Sequence, residues 1–113
     1  MEQERTGGGL PQITPEQRAV ALERAREARV ARKEARLSVA SGDTDPLGVL
    51  ADPQGAFVRM PVRQFLTSVP GVGTVIADRV MATCGIAANR RVGGLGSRQR
   101  EALAAELRAV TGR

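Results

Sequence analysis

Apolar residues are small and thinly spread along the first third of the chain, then recur every three or four positions in the last half. Residues 1–13 are expected to form a disordered tail, because Met1–Gly9 is polar and glycine-rich. Ile13-Thr14-Pro15-Glu16-Gln17 opens the first ordered element. Thr14 has the hydroxyl of an N-cap, Pro15 suits the first helical position, and Gln17 stands at capping-box spacing. A long helix is predicted over residues 14–40, stopped by Ser41-Gly42-Asp43. Its apolar stripe is thin: Ala21, Leu22, Ala25, Ala28, Ala35 and Val39. Arg18, Arg24, Arg26, Arg29, Arg32, Lys33 and Arg36 crowd the other faces. Glu16, Glu23, Glu27 and Glu34 stand three or four residues from these cations, which predicts ion pairs along a solvated helix.

Residues 41–113 are expected to form one domain. Its first part is a broken connector, with Pro46 opening a short helix over Leu47, Val49 and Leu50, and a turn at Asp52-Pro53-Gln54-Gly55. Phe57 and Val58 are expected to anchor the connector. From Pro61 the period tightens. Val62, Phe65, Leu66 and Val69 mark a short helix, Pro70-Gly71-Val72-Gly73 a turn, and Thr74 to Thr83 a second helix. Gly85 suits a left-handed stop. A glycine-rich basic loop, Asn89 to Gly96, leads to a last helix capped by Ser97, with Leu103, Leu107 and Val110 on one stripe. No strand alternation is present, so the fold class is all-α.

Composition narrows the chemistry. There is no histidine and one cysteine, Cys84, so neither a disulfide within the chain nor a Cys/His zinc site is expected. Cys84 reads as a small core residue in a reducing, intracellular compartment. No apolar run approaches the ~18 residues of a membrane span, and Met1–Gly9 lacks the apolar stretch of a signal peptide. The 113 residues carry 17 Lys+Arg against 12 Asp+Glu, a formal charge of +5. From Arg90 to Arg113 six arginines face only Glu101 and Glu106, a net +4, so most of the excess lies in the last fifth. That distribution points to a polyanionic partner.

The segment from Phe65 to Met81 resembles a helix-hairpin-helix motif. Two helices are joined by a tight turn whose glycines permit unusual backbone angles and clear side chains from the approach of a phosphate. The amides of Gly71, Gly73, Thr74 and Val75 then face outward at a helix start, which carries unpaired N–H groups and partial positive charge. Val72 is expected to point inward and staple the hairpin. Ala77 is small where the helices cross. Beyond the hairpin, Arg90, Arg91, Arg98 and Arg100, with Ser97, are expected to hold neighbouring phosphates. Gly94 and Gly96 let that loop bend around Leu95, and Arg63 and Arg79 flank the footprint. Amides and guanidinium groups that grip phosphates read no bases, so little sequence preference is expected.

The whole pattern resembles the actinobacterial (mycobacterial-type) integration host factor family. The resemblance runs from about Leu10 to Val110 and rests on three stretches in order: Leu10-Pro11-Gln12-Ile13-Thr14-Pro15-Glu16-Gln17-Arg18-Ala19, the hairpin Val69–Gly73, and Arg90-Arg91-Val92 with Gly94-Leu95-Gly96-Ser97-Arg98-Gln99. It implies a long N-terminal helix followed by a helix–two-turns–helix domain. It also implies a monomeric, nucleoid-associated, cytoplasmic protein that binds double-stranded DNA, can bend it, and needs no metal, cofactor or membrane. The chain departs from the family pattern at Thr74, Ile76 and Pro61, where lysines are common, and at Gly93, where an arginine is usual. Each departure removes a potential phosphate contact, so the resemblance implies weaker binding than a typical member.

Other functions meet obstacles in the sequence. Ser68–Leu107 also resembles the helix–two-turns–helix core of a small-subunit ribosomal protein, which makes RNA or ribosome binding the alternative partner. Such proteins end in a long basic tail, and this chain ends at Arg113. Glycosylases that share the hairpin need a catalytic Asp, or a Lys just after it; the single lysine is Lys33, on the first helix. With no histidine and no paired carboxylates in a predicted cleft, no enzymatic activity is expected. Self-association through the first helix lacks a sustained heptad of large apolar residues.

Overall fold

The computed structural model describes residues 12–112, so most of the expected tail lies outside the described residues. The element order is α1 (Pro15–Ser41), α2 (Pro46–Ala51), a 3₁₀ turn (Gly55–Phe57), α3 (Val62–Ser68), α4 (Thr74–Thr83), a second 3₁₀ turn (Val92–Gly94) and α5 (Ser97–Thr111). Among the described residues there is no strand, only an isolated antiparallel bridge between Pro61 and Arg91. The all-α class expected from the pattern is the class observed.

The start of α1 follows its sequence signals. Thr14 Oγ1 accepts the Gln17 amide at 3.0 Å, and Gln17 Oε1 accepts the Thr14 amide at 2.8 Å. Gly42 ends the helix at φ +89°, and its amide donates to the Val39 carbonyl. Only the last turns of α1 meet the rest of the fold. Val39 is buried and Ala35 packs against the core, whereas Leu22, chosen from the sequence as part of the stripe, is 65% exposed. Ala21, Ala25 and Ala28 are exposed as well. The stripe fails there because alanines every three or four residues offer too little area to hold a second element. The predicted Glu–Arg pairs along α1 do not close to 4 Å among the described residues. Exposed pairs of this kind contribute roughly 0.3–0.5 kcal/mol, little against the rotamer entropy of two long side chains. At about 1.5 Å per residue α1 is roughly 40 Å long, and it stretches the molecule to 64 × 28 × 24 Å.

The core gathers Val39, Val49, Leu50, Met60, Val62, Phe65, Leu66, Val80, Val92, Leu103 and Leu107, all nearly inaccessible. Helix α3 packs on α1 and α4, while α5 packs on α2 and α4. Phe57 meets Phe65 edge to face with ring centroids 6.1 Å apart, so its anchoring role holds. Val58 does not share it: the residue is 40% exposed and stands outside the core, and its carbonyl accepts the Gly93 amide. Cys84 is half-buried against the core. Burial, and secondarily the Glu106 carboxylate, pushes its thiol above the usual range, which disfavours the thiolate.

Candidate nucleic-acid interface

The hairpin turn is built by Val69-Pro70-Gly71-Val72. The Val72 amide donates to the Val69 carbonyl at 3.0 Å, with Pro70 second and Gly71 third at φ +87°. That is a type II turn, which needs a positive φ at its third residue and therefore glycine. Val72 is buried beneath the hairpin, as expected for a staple, and Ala77 on α4 is fully buried.

Gly73 is different. It is extended, at φ −88° and ψ −174°, so it does not use a glycine-only conformation. A Cβ placed on it would meet nothing within 4 Å. The expectation that both hairpin glycines relieve backbone angles therefore holds for Gly71 alone. Gly73 is the N-cap of α4 and brings no side chain to cap it. The first hydrogen bond of the helix runs from the Ala77 amide to the Gly73 carbonyl. The Thr74 and Val75 amides precede that bond and have no intrahelical acceptor. Thr74 is exposed and Val75 is 77% exposed, so the helix start opens outward.

Helix α5 begins in the same way. Ser97, expected to be its cap, is the first helical residue; the cap is Gly96, whose amide donates to Gln99 Oε1 at 3.3 Å. Gln99 Nε2 also donates to the Gly85 carbonyl at 3.2 Å, which ties the start of α5 to the end of α4. The shift frees the Ser97 hydroxyl, and Ser97 and Arg98 are exposed. By contrast α1 and α2 are capped by the Thr14 and Asp45 side chains. The starts of α3, α4 and α5 have no side-chain acceptor; that of α3 is bound to the basic loop through the Val62 amide, which leaves those of α4 and α5 open.

The loop between them is held by backbone bonds to the connector. The Val62 amide donates to Arg90, Val92 to Met60, and Gly93 to Val58, at 3.0, 2.9 and 2.8 Å. Val92 and Leu95 are buried and fix the loop from beneath. Arg90 and Arg91 are exposed. Arg90 Nη1 reaches the Gly94 carbonyl at 3.3 Å, and Arg91 Nη1 donates to the Arg59 carbonyl. Each guanidinium has five N–H groups, so most donors remain for an external acceptor. Asn89, Arg90, Arg91 and Gly94 line a surface depression with no carboxylate in it.

Not every expected residue joins this surface. Arg63 is engaged across the hairpin: its Nε donates to Asp78 Oδ1 at 2.7 Å and its Nη2 to Oδ2 at 3.4 Å. The bridge raises the Arg63 pKa, first through the hydrogen bond and then through the charge of Asp78, and it lowers Asp78. Arg63 therefore clamps α3 to α4 rather than offering a free cation. Arg100 is half-buried and, with Ser97, lines a groove against Leu47, Leu50 and Ala51 of α2, apart from the Arg90–Arg91 depression. Arg79 is exposed one turn beyond Val75 on the outer face of α4.

Comparison with known proteins places this geometry. The family model for the S13-like H2TH domain matches residues 49–107. The integration host factor of Mycobacterium tuberculosis is 46% identical over 96 residues, 83% of this chain and 91% of that protein. That of Streptomyces coelicolor is 42% identical over 100 residues, 87% of this chain and 94% of that protein. The chain belongs to the actinobacterial integration host factor family. A solved structure of a relative, sIHF bound to an 8-bp palindromic DNA, superposes with a TM-score of 0.68 at 35% identity. It covers 74% of this chain and 97% of that one.

Against the pattern of this family the four departures take on structural meaning. Thr74 stands exposed at the start of α4. Ile76 is half-buried and packs against the core. Pro61 is half-buried in the bridge with Arg91. Gly93 is a close approach: a Cβ there would lie 2.7 Å from the Val58 carbonyl oxygen and 2.7 Å from its Cγ1. The missing arginine is thus tied to how tightly the loop sits on the connector.

Proposed function

We propose that this member of the integration host factor family binds double-stranded DNA with little sequence preference, as an architectural protein of the nucleoid with no catalytic step of its own. The observation that carries the reading is Gly73. The fold does not need glycine there for backbone angle or space, and a capping side chain would suit the helix better by a few tenths of a kcal/mol. Glycine at that point leaves the Thr74 and Val75 amides open to an anion at the positive end of a helix. Arg90, Arg91 and Arg98, with Ser97 and the open start of α5, supply the neighbouring phosphate contacts, and Arg79 lies at the edge. The relative solved on a palindromic duplex favours DNA over RNA as the polyanion.

Helix α1 extends the contact. Glu16, Glu23, Glu27 and Glu34 are spaced 7, 4 and 7 apart and form one ridge, while Arg18, Arg29 and Arg36 form another on the opposite side. The basic ridge can follow a phosphate backbone while the acidic ridge stays in solvent. A duplex held at both the hairpin and α1 is deflected, at an elastic cost of a few kcal/mol.

The test is Arg90→Gln with Arg91→Gln. Two phosphate contacts fewer lower the slope of log K against log salt by about 1.8 and weaken all duplex sequences alike. A folded double variant with the wild-type slope would contradict the reading.

A further inference from the structure

The basic loop has a neighbour that sequence distance conceals. The connector from Val58 to Val62 runs antiparallel to residues 90–93 through the three backbone bonds already given, with Pro61 bridged to Arg91. Along it Val58 and Arg59 are exposed, Met60 is buried, Pro61 half-buried and Val62 buried. Met60 and Val62 enter the core with Val92, and Arg59 stays at the surface with Arg91.

We propose that this connector is the second wall of the phosphate site and that Arg59 makes a direct phosphate contact. The proposal rests on the phosphate-gripping reading of the loop and adds a residue to it. Three observations converge on Arg59. Its carbonyl oxygen accepts the Arg91 guanidinium, so the backbone of one cation holds the head group of the other. Its side chain has no hydrogen-bond or ion-pair partner among the described residues, whereas Arg63 is occupied by Asp78. Gly93 has no side chain to separate the two segments, and they touch at Val58. Arg90 and Arg91 line a depression with no carboxylate, and an exposed cation on the adjoining connector adds to a positive field that an anion would neutralise. A phosphodiester oxygen has the charge and the acceptor geometry to do so.

The contact is tested with Arg59→Gln, Arg59→Lys and Arg90→Gln in full-length protein, on a fluorescent duplex titrated across salt concentrations. Substitution keeps the Arg59 carbonyl, so the bond from Arg91 survives, and a thermal melt checks the fold. Arg59→Gln is expected to lower the log–log slope by about 0.9 and the affinity by about eightfold at 0.1 M salt. Arg59→Lys is expected to recover the slope. A wild-type slope in Arg59→Gln, with Arg90→Gln reduced, overturns the assignment of Arg59 and leaves the loop site standing. Wild-type slopes in both overturn the loop site together with the proposal.

Discussion

Replacing Gly73 by aspartate should push stability and binding in opposite directions. Position 73 is extended, and a Cβ meets nothing within 4 Å, so the side chain enters without strain. Aspartate is a preferred N-cap, better than glycine by a few tenths of a kcal/mol, and its charge at the positive helix end adds about 0.3–1 kcal/mol. A gain of roughly 0.5 kcal/mol raises Tm by about 2–4 °C in a domain of this size. The same carboxylate occupies the amides of the proposed anion site. Losing a charge-assisted hydrogen bond costs about 1.5 kcal/mol or more. Placing a carboxylate about 4 Å from a phosphate adds about 1 kcal/mol of repulsion even at the dielectric of water. The sum, about 2.5 kcal/mol, is a loss on the order of 70-fold. Fluorescence anisotropy with a short duplex, beside a thermal melt, reads both quantities. A stabilised Gly73→Asp protein that binds as tightly as wild type would refute the hairpin site.

Two further substitutions separate charge from geometry. Asp78→Asn releases Arg63 and removes a negative charge beside the hairpin, so binding should tighten and the salt slope steepen by up to about 0.9; an unchanged slope would mean that Arg63 points away from the duplex. The same variant reports the bridge in stability against pH. Because Arg63 holds the Asp78 carboxyl below the usual carboxylate range, the bridge contributes fully above that range and fades as pH falls through the lowered value. The stability gap between wild type and Asp78→Asn should close over that acid window. Gly93→Arg adds a cation yet should weaken binding, because its Cβ falls 2.7 Å from the Val58 carbonyl oxygen and overpacking of this kind costs about 1–3 kcal/mol. A lower Tm together with weaker binding is the expected pair; tighter binding at an unchanged Tm would show that the loop yields freely.

What was legible in the sequence is what depends on neighbours along the chain. The capping box at Thr14, the turn at Pro70-Gly71, the inward Val72 and the left-handed Gly85, at φ +66°, all follow from local rules. The features that the sequence hid depend on contacts across the fold. Arg63 meets Asp78 fifteen residues away only because α3 and α4 cross there. Arg59 lies in a stretch of net negative charge, 32 residues from the arginine it supports. Its pairing with the loop is too short to leave a period of two. The cap of α5 lies one residue earlier than expected because the first helical bond runs from the Arg100 amide to the Gly96 carbonyl, with Gln99 Oε1 holding the Gly96 amide. For α1 the pattern overstated the apolar face, since a helix of alanines and solvated charges gains little by packing.

The most direct test of the account is a titration of the protein with duplex DNA of several sequences, single-stranded DNA and structured RNA, each across a range of salt. The account predicts tightest binding to duplex DNA, near-equal affinity among sequences, and a steep linear fall of log K with log salt that counts the phosphates engaged. Preference for structured RNA, or no binding to duplex DNA at low salt, would contradict it.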